Sequence, residues 1–201
     1  MDGAVTEPGS GAADGLPAGR VVSLNVGVPQ PLMTPGKGEV LSGIVKVPVT
    51  GRRRVVRHNV DGDGQADPRV HGGEMKAVYA YPYEHYGFWS RELARQGLPM
   101  GLFGENLTTE GLVEADVRIG DRFGIGTALL EVTQPRQPCF KLAAHIGRPD
   151  FPKLFARSGR SGWYLRVVEE GEIGAGDWIV REVAGAGPTV LELFRETMGG
   201  E

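Results

Sequence analysis

Residues Thr133 to Leu142 read TQPRQPCFKL and hold the single cysteine of the chain, Cys139. Arg136 and Lys141 put a cation on either side of it, and Pro138 and Gly147 bracket a short helical pattern, PCFKLAAHIG. Proline suits a first helical position and glycine a helix end, so Cys139 is expected in the first turn. The positive end of a helix and nearby cations both favour a thiolate. A thiolate is a nucleophile and a soft metal ligand. A free cysteine is otherwise a small buried hydrophobe, and this segment alone leaves the two readings side by side.

Two glycine-bearing segments add polar groups. HGGEMKAV brings His71, Gly72, Gly73 and Lys76 to the start of a strand, and FGENLTTEG brings Glu105, Asn106 and Thr108. Glycines let backbone amides approach a ligand closely, and such loops make concavities for anions. The glycines could equally turn the chain, and Asn106 could equally cap it. Lys46 stands inside an expected strand, GIVKVPV. Its head must there reach solvent or an anion.

Several familiar sites fail on inspection. DGDGQADPRVHG has Ala66 and Gly72 where a calcium-binding EF-hand needs glycine and glutamate. GIGTAL lacks the third glycine of a dinucleotide fingerprint. His58, His71, His85 and His145 have no zinc-type spacing, and Ser161 in GRSGW is not placed as a nucleophile elbow requires. The basic run GRRRVVRH reads as a solvated strand edge whose charges discourage sheet-to-sheet association.

The elements that must position these residues are mainly strands. Residues 1–19 lack hydrophobic periodicity and are expected as a disordered extension, 20–183 as the folded body and 184–201 as a helical tail. RVVSLNVGV, SGIVKVPVTG, RRVVRHNV and AVYAY read as strands, with PQPLMTPGKGEV and DGDGQADPRVHGGEMK as loops. PYEHYGFWSRELARQG reads as a helix opened by Pro82 and closed by Gly97, with Tyr86, Trp89 and Leu93 facing the core. GLVEADVRIGDRFGIGTALLEVTQ and GWYLRVVEEGEIGAGDWIVREV read as hairpins, their Gly-Asp pairs at the turns. PDFPKLFARSG and GPTVLELFRETM read as two further helices. The whole is expected to be mainly β, a barrel with a few peripheral helices.

Composition narrows the function. The formal net charge of -3 argues against a bulk nucleic-acid or membrane-surface binder. No apolar run approaches the ~20 residues that cross a bilayer, and the acidic start is no signal peptide. One cysteine makes no internal disulfide, which fits a reducing cytoplasmic setting. Glycine occurs 32 times without a period, as many turns between short strands require.

The segments GIVKVPV, DGDGQADPRVHGGEMKAVYAYPYEHY, GLFGENLTTEGL, IGDRFGIG and TQPRQPCFKL, in this order, resemble the MOSC family, above all its small stand-alone bacterial YiiM-like branch. The family is named for the C-terminal domain of molybdenum-cofactor sulfurase. The resemblance implies a β-barrel with a pocket for molybdenum cofactor, a metal held by a phosphorylated pterin dithiolene. It implies that Cys139 is the metal ligand or a sulfur carrier. Lys46, Gly72, Gly73, Lys76, Arg136 and Lys141 would hold the cofactor, and His71 and Asn106 would position substrate or supply a proton. YiiM-like members reduce N-hydroxylated bases, so the implied activity is reduction of an N–O bond with electrons from an external donor protein. A sulfur carrier using a Cys139 persulfide and a non-catalytic cofactor-binding module are the alternatives. Two departures stand out. Val70 occupies a position where the family often has a second histidine, and only a short tail follows where YiiM-like proteins commonly have a three-helix domain.

Overall fold

A computed structural model describes residues 16–66 and 72–199. The chain forms β1 (Pro17–Val26), β2 (Gln30–Thr34), β3 (Gly38–Ser42), β4 (Val47–Pro48), β5 (Arg53–Val56), β6 (Asn59–Val60) and β7 (Val78–Pro82). There follow α1 (Tyr86–Glu92), β8 (Leu107–Glu110), β9 (Arg122–Ile125), β10 (Ala128–Pro135), α2 (Phe140–Ile146) and α3 (Phe151–Ser158). The chain continues with β11 (Trp163–Glu169), β12 (Gly171–Ile173), β13 (Trp178–Val183) and α4 (Val190–Gly199). Strands β13, β9, β10, β11, β7, β8 and β1 pair in that order, and β1 pairs back to β13, closing a seven-stranded barrel. The β7–β8 pair is parallel.

Two-residue periodicity explains the layers. In β7, Val78 and Ala80 point into the barrel core, while Tyr79 and Tyr81 point outward under the helices. Beneath those helices lies an aromatic layer of Trp89, Phe103, Phe151, Phe155 and Phe194. Burial of each ring is worth roughly 1.5–3 kcal/mol. Tyr86 and Trp89 are buried as the helical spacing predicts, and Leu93 packs against the same layer.

Several expectations need correction. PQPLMTPGKGEV is a hairpin, β2–β3, outside the barrel. Pro31 is tolerated because a two-stranded ribbon has open edges, and Gly36 and Gly38 take the left-handed conformation at the turn. Of SGIVKVPVTG only Val47–Pro48 pairs, so Lys46 is not inside a strand. Pro82 ends β7 and caps a 3-10 turn, Tyr83–His85, that runs into α1, one position before the place expected for it, and α1 ends at Glu92, well before Gly97. Residues 162–183 do not fold back as one hairpin. β11 pairs with β10 and β7, β13 pairs with β9 and β1, and β12 leaves the barrel to pair with β5. Closing the barrel takes β13 away from β11. The Gly-Asp pairs instead make side-chain-closed turns, where Asp121 accepts from Arg118 N (2.8 Å) and Asp177 from Gly174 N (2.9 Å). The first strand begins at Pro17, inside the segment expected to be disordered, because Pro17 and Gly19 complete the seam with Val180 and Ile179. The rest of that segment, residues 1–15, lies outside the described residues. The tail forms α4, whose Val190 and Phe194 are buried. Among the described residues no helix is long and apolar enough to cross a membrane.

The packing carries a pH signature. Burial holds the hydroxyls of Tyr79, Tyr81, Tyr86 and Tyr164 above the ordinary tyrosine value of 10.0. The unfolded chain loses these protons near that value while the folded chain keeps them. Their stabilisation is therefore intact below pH 10.0 and is lost as pH rises beyond it. Tyrosinate absorbance of these four residues is expected to rise together with the loss of near-ultraviolet dichroism, in one base-induced transition. Tyrosinate forming first, in a protein still folded, would contradict this packing.

Candidate functional site

One cleft gathers most of the residues singled out above. Cys139, Arg136, Lys141, Lys46, Lys76 and Asn106 all line it, in about 630 Å³ of empty space counted to its open mouth. Cys139 sits at its edge in extended backbone (φ -141°, ψ 160°) as the residue before α2, which starts two residues later than expected. Pro138 therefore lies outside the helix. Gly147, left-handed at φ 77°, ends it as the sequence suggests.

Arg136 follows the end of β10 and turns under the helices. It is only 6% exposed, and its Nη2 lies 3.9 Å from Cys139 Sγ. Its guanidinium lies over the rings of Tyr79 (5.1 Å) and Phe155 (5.9 Å). Its other terminal nitrogen, Nη1, is buried with no hydrogen-bond partner among the described residues. Burial opposes this charge, but Tyr79, Cys139 and Tyr164 outweigh it and hold the pKa above the ordinary guanidinium value. The same cation, after burial, lowers His145 on α2.

Lys46 is spent differently. Its ammonium is bonded to Asp63, and both side chains are almost fully buried. Burial pulls the Lys46 pKa below 10.5, against the raising effect of Asp63. Asp63 also accepts from Gly27 N (2.9 Å) and Asn106 Nδ2 (3.0 Å). The Asn106 amide further donates to Asn25 O (3.3 Å) and accepts from Tyr79 N (3.1 Å). Its donors and acceptor thus clamp β7, β1 and Asp63 together. Next to it, Glu105 is wholly buried and accepts from Gly101 N, Phe103 N, Thr108 Oγ1 and the Tyr86 hydroxyl. This carboxylate is the staple of the GLFGEN loop, and burial pushes its pKa up against those donors.

The remaining candidates are at the rim. Lys141 donates to Leu41 O (3.3 Å), tying α2 to β3. Lys76 ends a short 3-10 turn and stands 5.9 Å from the Tyr164 ring. Gly72 and Gly73 do not line the cleft themselves. Gly73 N bonds Gln65 Oε1 (2.9 Å), and a Cβ on Gly72 would sit 1.9 Å from that same oxygen. The pair fixes Gln65, which does line it. His71 and Val70 lie outside the described residues.

Asp63, Gln65, Tyr79 and Tyr164 also line the cleft and were not singled out from the sequence. Asp63 and Gln65 belong to DGDGQADP, tested above as a calcium loop and part of a segment that carries the resemblance, but neither residue was given a role. A buried lysine needing an anion was the signal that could have found Asp63. Among the described residues no group of three or more His, Cys, Asp or Glu gathers to hold a metal. A metal here would rest on Cys139 together with donors of its own cofactor.

The MOSC domain profile matches residues 67–180. The chain belongs to the MOSC domain family. Among its MOSC relatives, the "Uncharacterized protein YflK" of Bacillus subtilis (strain 168) is 47% identical over 156 residues, 78% of this chain and 70% of that one. "Protein YiiM" of Escherichia coli (strain K12) is 41% identical over 136 residues, 67% of this chain and 61% of that one. A "Reductase" of Gibberella moniliformis (strain M3125 / FGSC 7600) is 39% identical over 145 residues, covering 71% of this chain but 26% of that protein. The crystal structure of YiiM from Geobacillus stearothermophilus superposes with a TM-score of 0.75 at 38% identity, covering 90% of this chain and 84% of that one. YiiM from Escherichia coli superposes with a TM-score of 0.68 at 30% identity, covering 86% and 78%. The barrel is therefore the MOSC fold.

Proposed function

We propose that this MOSC protein is an oxidoreductase that holds molybdenum cofactor and reduces the N–O bond of N-hydroxylated compounds such as N-hydroxylated bases. The observation that carries the reading is the half-buried Cys139 thiol, 3.9 Å from Nη2 of a buried Arg136 whose other terminal nitrogen has no hydrogen-bond partner among the described residues, in one cleft. The residues present fit the cofactor. One soft sulfur ligand suits a metal that brings its other donors with it, and an unsatisfied guanidinium suits an oxygen-rich, anionic group. When bound, the cofactor would supply two-electron reducing power at the metal. In the net reaction the N–O bond breaks, two electrons and two protons enter, and an amine and water leave.

The chain's own residues hold and orient. Cys139 would ligate the metal, and Arg136, Lys76 and Lys141 would bind the pterin and its phosphate. Asn106 would act as a positioning residue, because its amide is already committed to Asp63, Tyr79 and Asn25. His71, which lies outside the described residues, would position substrate or supply a proton, the role that the resemblance implies. Electrons would come from an external donor protein. The name of the fungal relative supports the reductase class, although this chain spans only 26% of that protein.

The test is purification from a molybdenum-replete host, followed by assay of metal, pterin and cyanide-labile sulfur, and turnover of an N-hydroxylated base with a chemical reductant. Bound molybdenum with formation of the amine is expected. Labile sulfur without metal would favour the sulfur-carrier alternative. A folded protein lacking metal, sulfur and activity would remove both.

A further inference from the structure

We infer that the outer face of α1 and α3 docks the acidic surface of a partner protein. That partner, in a clause that rests on the reductase reading, is the one-electron carrier that supplies the cleft.

Charge is divided unevenly along the chain. Overall, 25 Asp and Glu outnumber 22 Lys and Arg, yet residues 86–97 and 147–160 hold six cations and two carboxylates. The cations are Arg91, Arg95, Arg148, Lys153, Arg157 and Arg160. One packed unit carries them. Trp89 of α1 lies against Phe151 (4.9 Å) and Phe155 (6.0 Å) of α3. Arg160 stands 3.9 Å over the Phe88 ring, and Arg148 donates to Glu92 O (2.7 Å). With Phe151 and Phe155 turned inward, helical spacing sets the exposed Lys153 and Arg157 outward, four residues apart. Like charges at that spacing repel, so the fold gains nothing from the pair. Arg148 is bonded to Asp150 (2.8 Å), and the other five form no salt bridge among the described residues. Arg157 acts on Asp150 only from further away. A cation in the last turn of a helix offsets its dipole, which accounts for Arg91 and Arg157. Lys153 stands in the first turn of α3, where a cation opposes the dipole. An unpaired basic face, held partly against the preference of its own helix, is matched by an acidic one on another molecule.

The face is close to the thiol yet separate from the cleft. None of the six cations lines the cleft. Phe155, on the inner side of α3, lies 5.9 Å from the Arg136 guanidinium, whose Nη2 is 3.9 Å from Cys139 Sγ. One helix layer, about 10 Å thick, therefore separates this face from the corner that holds Cys139. Substrate in the cleft and a partner on the helices do not compete. The acidic remainder of the chain turns an acidic partner toward this face. Two carriers in succession, each oxidised by one electron, deliver the two electrons that the N–O bond takes up with two protons.

The test uses full-length protein from a molybdenum-replete host and a plant-type ferredoxin, an acidic one-electron iron–sulfur carrier. A zero-length carbodiimide joins lysine amines to carboxylates, and the lysines of the chain are Lys37, Lys46, Lys76, Lys141 and Lys153. Peptide mass spectrometry should find ferredoxin linked through Lys153 at low salt. The link should be lost at 1 M salt, where charges are screened within about 3 Å. Turnover of an N-hydroxylated base is then driven by reduced ferredoxin and, separately, by reduced methyl viologen, which needs no docking face. In Arg95→Glu/Lys153→Glu the ferredoxin-driven rate at low salt should fall about tenfold, with methyl viologen turnover unchanged. Linkage through Lys37, Lys76 or Lys141, no linkage, or an undiminished ferredoxin rate in the folded variant overturns the inference. The linkage result needs no variant. Absence of turnover with both reductants removes the reductase reading alone, and linkage at Lys153 then decides the docking face by itself. Retention of a single-stranded oligonucleotide that the variant loses, without ferredoxin linkage, would assign the face to nucleic acid and overturn the protein partner.

Discussion

Replacing Cys139 by serine is expected to remove metal retention and N–O reduction while leaving the fold intact. The residue caps α2 from an extended conformation, and its own side chain makes no capping hydrogen bond. Serine is among the preferred residues at that position and can accept from the first free N–H groups, a gain of up to about 1 kcal/mol. The melting temperature should therefore hold or rise slightly. The hydroxyl is a far poorer ligand for a soft metal than a thiolate. The loss in kcat/KM should exceed the roughly 10–100-fold seen when a group that merely supports a metal ligand is removed. A Cys139→Ser protein with wild-type metal content and turnover would return the cysteine to a space-filling role.

Asp63→Asn is expected to be the most destabilising conservative change in the cleft. It keeps the shape but strands the Lys46 ammonium in a buried site. Breaking one side of a buried pair costs about 3–5 kcal/mol. The sign with pH distinguishes this cause from lost packing. Burial already holds Lys46 below 10.5, and Asp63 is what raises it. Without Asp63 the folded-state value falls further below the unfolded one. The unfolded chain then binds the extra proton, so the variant recovers stability as pH rises toward 10.5. Urea midpoints of wild type and Asp63→Asn should converge between neutral pH and about pH 10, where tyrosine ionisation takes over. Lys46→Met added to Asp63→Asn should restore part of the loss at neutral pH, since a buried pair replaced by apolar groups is often near neutral. A penalty independent of pH would mean the carboxylate matters only for its hydrogen bonds to Gly27 and Asn106.

The legible parts of this protein are those governed by local pattern. Alternation in RFGI and ALLEVTQP shows the β9–β10 hairpin, and the helical spacing of Tyr86 and Trp89 shows the buried face of α1. The cluster of Cys139, Arg136, Lys141, Lys46, Lys76 and Asn106 was legible as a set, because the resemblance tied distant segments together. Long-range choices were hidden. Nothing near Gly174 says that β12 must leave the barrel while β13 returns to close it against β1. PQPLMTPGKGEV looked like a loop because its prolines forbid a central strand, yet they permit an isolated ribbon. Asp63 was missed because its partner Lys46 lies 17 positions earlier and was assigned to a strand. The difference between the cations, Lys46 paired with Asp63 and Arg136 without an ion-pair partner among the described residues, exists only in three dimensions.

The most direct measurement is the molybdenum content per chain of wild-type protein and of Cys139→Ser, purified side by side from a molybdenum-replete host. Near-stoichiometric metal with pterin in the wild type, and neither metal nor turnover in the variant, is the predicted result. Equal molybdenum in both proteins, or none in a folded wild type, would contradict the claim that Cys139 is the protein's ligand to the cofactor.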